Sequence, residues 1–202
     1  MFGEWLRSHT HWLVDPIARA ISRLGISPNW MTMLGLVANV AVALLIARGY
    51  LRVGGVLTIL ASLFDAFDGA LARLSGQTSS FGAFLDSTLD RFSEAVVYLG
   101  LLLYYAQQGR RMEMILIYGT IVGSLMVSYT RARAEGLGLQ CKVGLLTRAE
   151  RVCLLIIGLI AGIMPWMLWA LAVLTNVTVV QRVVYVWRIT RTMEQKAPVG
   201  LE

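Results

Sequence analysis

Apolar residues recur at helical spacing from the start of the chain. Phe2, Trp5, Leu6, His9, Trp12, Leu13, Ile17, Ala20, Ile21 and Leu24 share one face, while Glu4, Arg7, Asp15 and Arg23 take others. Two tryptophans on such a face predict an interfacial amphipathic helix over 1–25, lying on a membrane rather than crossing it. An ordinary surface helix is the other reading of the same pattern. Asp15-Pro16 predicts a break within it, with Asp15 as N-cap and Pro16 as the first helical residue. The apolar positions then run in six longer stretches, approximately 30–47, 53–73, 80–106, 112–134, 150–164 and 166–189. Most reach the ~20 residues that span a bilayer. The fifth is short, and Gly162 to Pro165 leave little room for a loop after it. The expected fold is all-α: six transmembrane helices preceded by the interfacial helix. The expected organisation is a juxtamembrane helix over 1–25, one six-helix domain over 26–195 and a tail over 196–202.

Composition sharpens this picture. Of 202 residues, 57% are hydrophobic and only 15% charged, and mean hydropathy is +0.66. A soluble domain carries about 25% charge, so something other than water must solvate much of this surface. Disorder, collagen, a secreted disulfide scaffold and a large multidomain enzyme are excluded. Cys141 and Cys153 form no C-x-x-C pair, which predicts no zinc site and no disulfide and fits a reducing compartment. The N-terminus lacks a basic segment leading into a continuous apolar stretch, so no cleaved leader is expected.

Charge sets orientation and partners. The net charge is +6. In a soluble domain that excess would suggest nucleic acid. Here the cations sit at the ends of apolar runs, so anionic headgroups or phosphorylated substrates are the expected partners, and nucleic acid is not. With six spans, 14 of the 18 Lys and Arg fall on the side of the termini, leaving Arg48, Arg52, Arg110 and Arg111 opposite. The positive-inside rule puts the larger set in the cytoplasm of a multi-pass cell-membrane protein.

Acidic residues inside two spans carry the chemistry. Asp65 and Asp68 lie i,i+3 near the end of the second, and Asp86, Asp90 and Glu94 lie at i,i+4 intervals in the third. Asp65 precedes Arg73 by about 12 Å of helix, and Asp86 and Asp90 follow Ser80 by about 9–15 Å. The short connection predicts antiparallel helices with the four aspartates at similar depth. A charge at the centre of a span costs about 2.5–3.5 kcal/mol, so these residues must be protonated, paired or holding cations. Two divalent ions would cancel four charges, and all-oxygen ligation suits Mg²⁺ or Mn²⁺. Two metals about 3.5–4 Å apart can clamp phosphoryl oxygens during displacement. Buried ion pairs with Arg73 and Arg91 are the alternative.

The run Asp65-x2-Asp68-Gly69-x2-Ala72-Arg73-x8-Gly82-x3-Asp86-x3-Asp90 matches all eight fixed positions of the CDP-alcohol phosphotransferase signature. The six-helix layout resembles the same family across nearly the whole chain. Its members transfer a phosphoalcohol from a CDP-linked donor to a hydroxyl, releasing CMP, and the resemblance implies a homodimer. It further implies Asp65, Asp68 and Asp86 as ligands of a two-ion centre, with Asp90 both ligand and general base. Gly69 would admit the nucleotide, Arg73 would pair with a donor phosphate, and Ser79 would contact the donor. Pro28-Asn29-Trp30-Met31-Thr32 resembles the family's Pro-Asx-x-x-Thr motif, placing Asn29, Trp30, Met31 and Thr32 on CDP-diacylglycerol. Asn29 also reads as a plain helix N-cap, and both readings are compatible. Glu94 reads as a partner behind the metal ligands or as a helix–helix hydrogen-bonding group, outside the site.

The acceptor is a separate question. Tyr129-Thr130-Arg131-Ala132-Arg133-Ala134-Glu135, Arg148-Ala149-Glu150-Arg151 and Thr178-x-x-Gln181-Arg182 resemble prokaryotic phosphatidylinositol-phosphate synthases. The resemblance implies that Arg131, Arg133, Arg151 and Arg182 hold the phosphate of inositol 1-phosphate. Relatives often carry lysine where Arg131 stands. Four arginines suit a dianionic phosphate better than a neutral alcohol; a purely topogenic role is the other reading. Glycerol 3-phosphate is the alternative acceptor, and a metal-ion transporter is the competing class, although transport favours carboxylates strung along a path rather than gathered on one hairpin.

Overall fold

The computed structural model describes residues 27–74 and 79–196; of the side chains within them, 64–74, 194 and 196 are left aside. The expected interfacial helix, with its Asp15-Pro16 break, lies outside these residues. Six helices follow in order: α1 Pro28–Ala47, α2 Leu51–Leu74, α3 Ser80–Gln107, α4 Arg111–Glu135, α5 Arg148–Ala161 and α6 Met164–Lys196. No strand occurs among the described residues.

Local sequence accounts for the ends. Pro28 opens α1 behind Ser27, where its missing N–H costs nothing. Ser27 is therefore the N-cap, and Asn29, read from the sequence as a possible cap, sits inside the first turn. The turns after α1 and α3 each close on a glycine at positive φ, Gly49 at 92° and Gly109 at 67°, conformations a Cβ would strain. α5 starts earlier than expected because the Glu150 carboxylate accepts the Thr147 backbone N–H at 2.8 Å. It ends earlier too, at Ala161, where Gly162 turns left-handed. α6 overruns its expected end at 189 because no Gly or Pro interrupts residues 166–197.

The helices pack in an order that closes on itself: α1 on α2, α2 on α5, α5 on α6, α6 on α4, α4 on α3, and α3 back on α1. The α1–α3 seam is tight, since a Cβ on Gly100 would stand 2.8 Å from Ala43 Cα. The apolar core gathers at one end of the ring. Ile46, Leu101, Ile117, Leu159, Met164 and Leu168 are almost wholly inaccessible there. Of the buried polar side chains, Glu94, Arg151, Thr178 and Arg182 lie towards the other end, where α3 and α5 begin and α4 and α6 finish, while Glu113, paired with Arg110, is buried at the apolar end.

Large apolar side chains face outward: Val37, Ile115, Tyr118 and Trp166 are each more than 60% exposed. Among the described residues, three stretches are long and apolar enough to cross a membrane: Pro28–Ala47, Arg111–Glu135 and Met164–Met193. The sequence predicted six. Of α2, the described side chains give the apolar stretch Leu51–Leu63; α3 carries Asp86, Asp90, Arg91 and Glu94, and α5 has 14 residues. Charged residues within the span set α3 apart from those three, and brevity sets α5 apart.

Candidate active site

Asp86 and Asp90 lie one turn apart on α3, both half-buried at the polar end of the ring. Asp65 and Asp68 lie one turn apart near the end of α2, on backbone alone. Gly69, Ala72 and Arg73 complete that helix. α1 packs against both α2 and α3 and so fixes the frame in which the two signature halves stand.

α1 also brings its own first turn to the start of α3. The Ser79 hydroxyl caps α3 by accepting the Gly82 N–H at 2.9 Å. A Cβ on Gly82 would meet Ser79 Oγ at 3.0 Å and Asn29 Oδ1 at 3.3 Å. Asn29, Ser79 and Gly82, separated in sequence, therefore converge on one spot, and the signature glycine leaves room for that approach. The rest of the Asn29–Thr32 stretch divides. Met31 and Thr32 are buried, Thr32 donating to the Pro28 carbonyl at 3.1 Å, while Trp30 is exposed.

The arginines form two layers. Arg131 is half-exposed and bonds Glu135 one turn on at 2.8 Å, and Arg133 is exposed in the last turn of α4. Arg151 and Arg182 are buried. Arg182 donates to the Val143 carbonyl at 2.9 Å and to that of Val127. Thr178 and Gln181 hold the same loop, accepting the N–H groups of Leu146 at 3.1 Å and Leu145 at 3.2 Å. The Thr-x-x-Gln-Arg run thus pins the segment that leads into α5. Arg182 still lies within electrostatic reach of Arg131 and Arg151.

Arg151 grips Glu94 with two nitrogens, Nε to Oε1 at 2.7 Å and Nη2 to Oε2 at 2.8 Å. Its Nη1, like the Tyr98 hydroxyl beside the pair, is buried with no hydrogen-bond partner among the described residues. A buried donor left in that state costs about 1–3 kcal/mol. One turn nearer the polar end of the ring, Arg148 Nη1 bonds Asp90 Oδ2 at 2.6 Å. Arg91, named in the ion-pair alternative, instead bonds the Ser87 carbonyl on its own helix.

Two residues on these contacts were missed or set aside by the sequence reading. Arg148 was visible only as the first member of an i,i+3 arginine pair on α5. Glu94 was visible as the residue one turn beyond Asp90, without a sign of its partner.

Among the described side chains, Asp86 and Asp90 are the part of the donor set that stands together, and their chemistry suits a divalent metal. Half-buried carboxylates one turn apart offer hard oxygen ligands, and the guanidinium drawn to Asp90 marks that end as a place for positive charge.

Residues 25–192 match the sequence profile described as CDP-alcohol phosphatidyltransferase. The chain belongs to that family, whose signature residues lie where α2 ends and α3 begins. It is 37% identical over 181 residues to archaetidylinositol phosphate synthase of Methanothermobacter thermautotrophicus, covering 87% of this chain and 89% of that one. It is 38% identical over 201 residues to phosphatidylinositol phosphate synthase of Mycobacterium tuberculosis, covering 93% and 92%. The crystal structure of the Mycobacterium tuberculosis synthase with CDP-DAG bound superposes with a TM-score of 0.82, covering 86% of this chain and 93% of that one at 38% identity. Its complex with manganese and citrate gives 0.81, covering 86% and 88%, also at 38% identity.

Proposed function

We propose that this protein transfers the phosphatidyl group of CDP-diacylglycerol to inositol 1-phosphate, giving phosphatidylinositol phosphate and CMP. One observation carries the reading: Asp86 and Asp90 share one end of the ring with arginines from α4, α5 and α6. A carboxylate cluster suits cations that meet the donor's diphosphate, and the arginine surplus suits a second, separate phosphate. The relatives support the same acceptor, since they are named archaetidylinositol phosphate synthase and phosphatidylinositol phosphate synthase.

Asp65, Asp68, Asp86 and Asp90 would hold two Mg²⁺ ions, with Mn²⁺ as a substitute. Such a pair supplies charge neutralisation to the donor's phosphates. Asp90 takes the proton of the acceptor hydroxyl as it attacks the donor's β-phosphate and CMP departs. Asn29, Trp30, Met31, Thr32, Gly69, Arg73 and Ser79 receive the CDP end, a role supported by the meeting of Asn29 and Ser79 at Gly82. Arg131, Arg133, Arg151 and Arg182 receive the acceptor phosphate, Arg151 through Nη1.

The molecule crosses a cell membrane six times with this site facing the cytoplasm, behind an interfacial helix over 1–25, and works as a homodimer. The domain proper covers 26–195, and 196–202 form a tail.

Release of CMP from purified protein, with CDP-diacylglycerol and each acceptor in turn, is the test. Inositol 1-phosphate should be turned over at least about tenfold faster than glycerol 3-phosphate at equal concentration, about 1.4 kcal/mol in the barrier. Chelation should abolish turnover, and Mg²⁺ or Mn²⁺ should restore it. Faster turnover of glycerol 3-phosphate would move the protein to that substrate, and no CMP with any acceptor would favour the transporter class.

A further inference from the structure

Glu94 is an acid for which the proposed reaction has no use. It is buried one turn beyond Asp90 and gives both carboxylate oxygens to Arg151, 57 residues away in the chain. Stability does not account for it. Apolar side chains in place of a buried ion pair commonly hold a fold as well or better, and Val97 and Leu101 on the same helix already pack in an apolar core. The grip is also incomplete in a telling way. It takes Nε and Nη2 and leaves Nη1 buried without a partner among the described residues. A planar guanidinium held by two nitrogens can no longer swing, so the carboxylate decides where the third nitrogen points.

We propose that Glu94 is a positioning residue: reaching from α3 to α5, it locks the Arg151 guanidinium so that Nη1 is aimed at the acceptor's phosphate. This rests on the reading of Arg151 as an acceptor ligand. Glu94 itself touches neither substrate nor reacting atoms. It also ties the acceptor site to the helix that carries Asp86 and Asp90, so phosphate and hydroxyl are registered against one rigid element.

Steady-state kinetics of the full-length protein, with Mg²⁺, CDP-diacylglycerol micelles and inositol 1-phosphate, test the proposal. Glu94→Gln keeps the shape but replaces one acceptor oxygen with a donor. Its acceptor KM should rise by at least about tenfold while the donor KM stays within about threefold. In an Arg151→Ala background the same change should alter the acceptor KM by less than about twofold, because nothing remains to be aimed. Should Glu94→Gln fail to fold, Glu94→Asp keeps the charge but withdraws the carboxylate by a methylene; its acceptor KM should rise by about fivefold or more.

A folded Glu94 variant with a normal acceptor KM overturns the proposal. So do equal rises in both Michaelis constants, or full additivity with Arg151→Ala. The underlying reading fails differently: through a normal acceptor KM in Arg151→Ala, or through no CMP release by the unaltered protein with inositol 1-phosphate. A defect in Arg151→Ala with none in the Glu94 variants removes the positioning role alone.

Discussion

Asp90 stands 2.6 Å from Arg148 and one turn from Asp86, so its charge is engaged whichever cation faces it. That makes Asp90→Asn a narrow probe, because the amide keeps the volume and loses the base. CMP formation should fall to background while CDP-diacylglycerol affinity stays within about tenfold, or 1.4 kcal/mol, as read by product assay and by binding titration. Retained turnover would remove Asp90 from proton transfer. At this scale the pairing of Asp86 with Asp90 was legible because the two share a helix: i,i+4 spacing fixes a common face without knowledge of the fold. Glu94 with Arg151 and Asp90 with Arg148 were not. Each partner lies on another helix, 57 and 58 residues away, and helical period says nothing about which face a neighbour presents. Arg182 stood out in the Thr-x-x-Gln-Arg run, but its hold on the Val127 and Val143 carbonyls was hidden by the irregular backbone of the loop it grips.

Between elements, the α1–α3 seam depends on an absent side chain. A Cβ at position 100 would press on the Ala43 backbone, which cannot yield as a flexible side chain would. Gly100→Val should therefore prise the two helices apart and cost about 1–3 kcal/mol, read as a lower melting temperature in detergent. Gly119→Ala is the control. Nothing lies within 4 Å of its Cβ, and a helical alanine is favoured over glycine by about 1 kcal/mol. Equal losses in both would mean the seam is not the cause. The helices themselves were readable from apolar runs and their punctuation. What escaped was their packing order, since α2 on α5 and α4 on α6 join stretches that no local pattern links. The α1 N-cap was misplaced by two residues because Pro28 fills the first helical position and pushes the cap back to Ser27.

For the whole molecule, orientation is the first thing to measure. In a Cys141→Ser, Cys153→Ser background, Gln108→Cys lies in the turn after α3 and Gln140→Cys in the loop before α5, both at exposed positions. A membrane-impermeant thiol reagent should label the first in intact cells and the second only after lysis. The opposite pattern would turn the active site outward. The two ends of the ring then carry a consequence for the membrane itself. Carboxylates and arginines occupy one end, and at the other Ile46, Leu101, Ile117, Leu159 and Leu168 are almost wholly inaccessible. A charge is costly among such side chains, so ions gathered at the polar end would meet a barrier there rather than a path across the membrane.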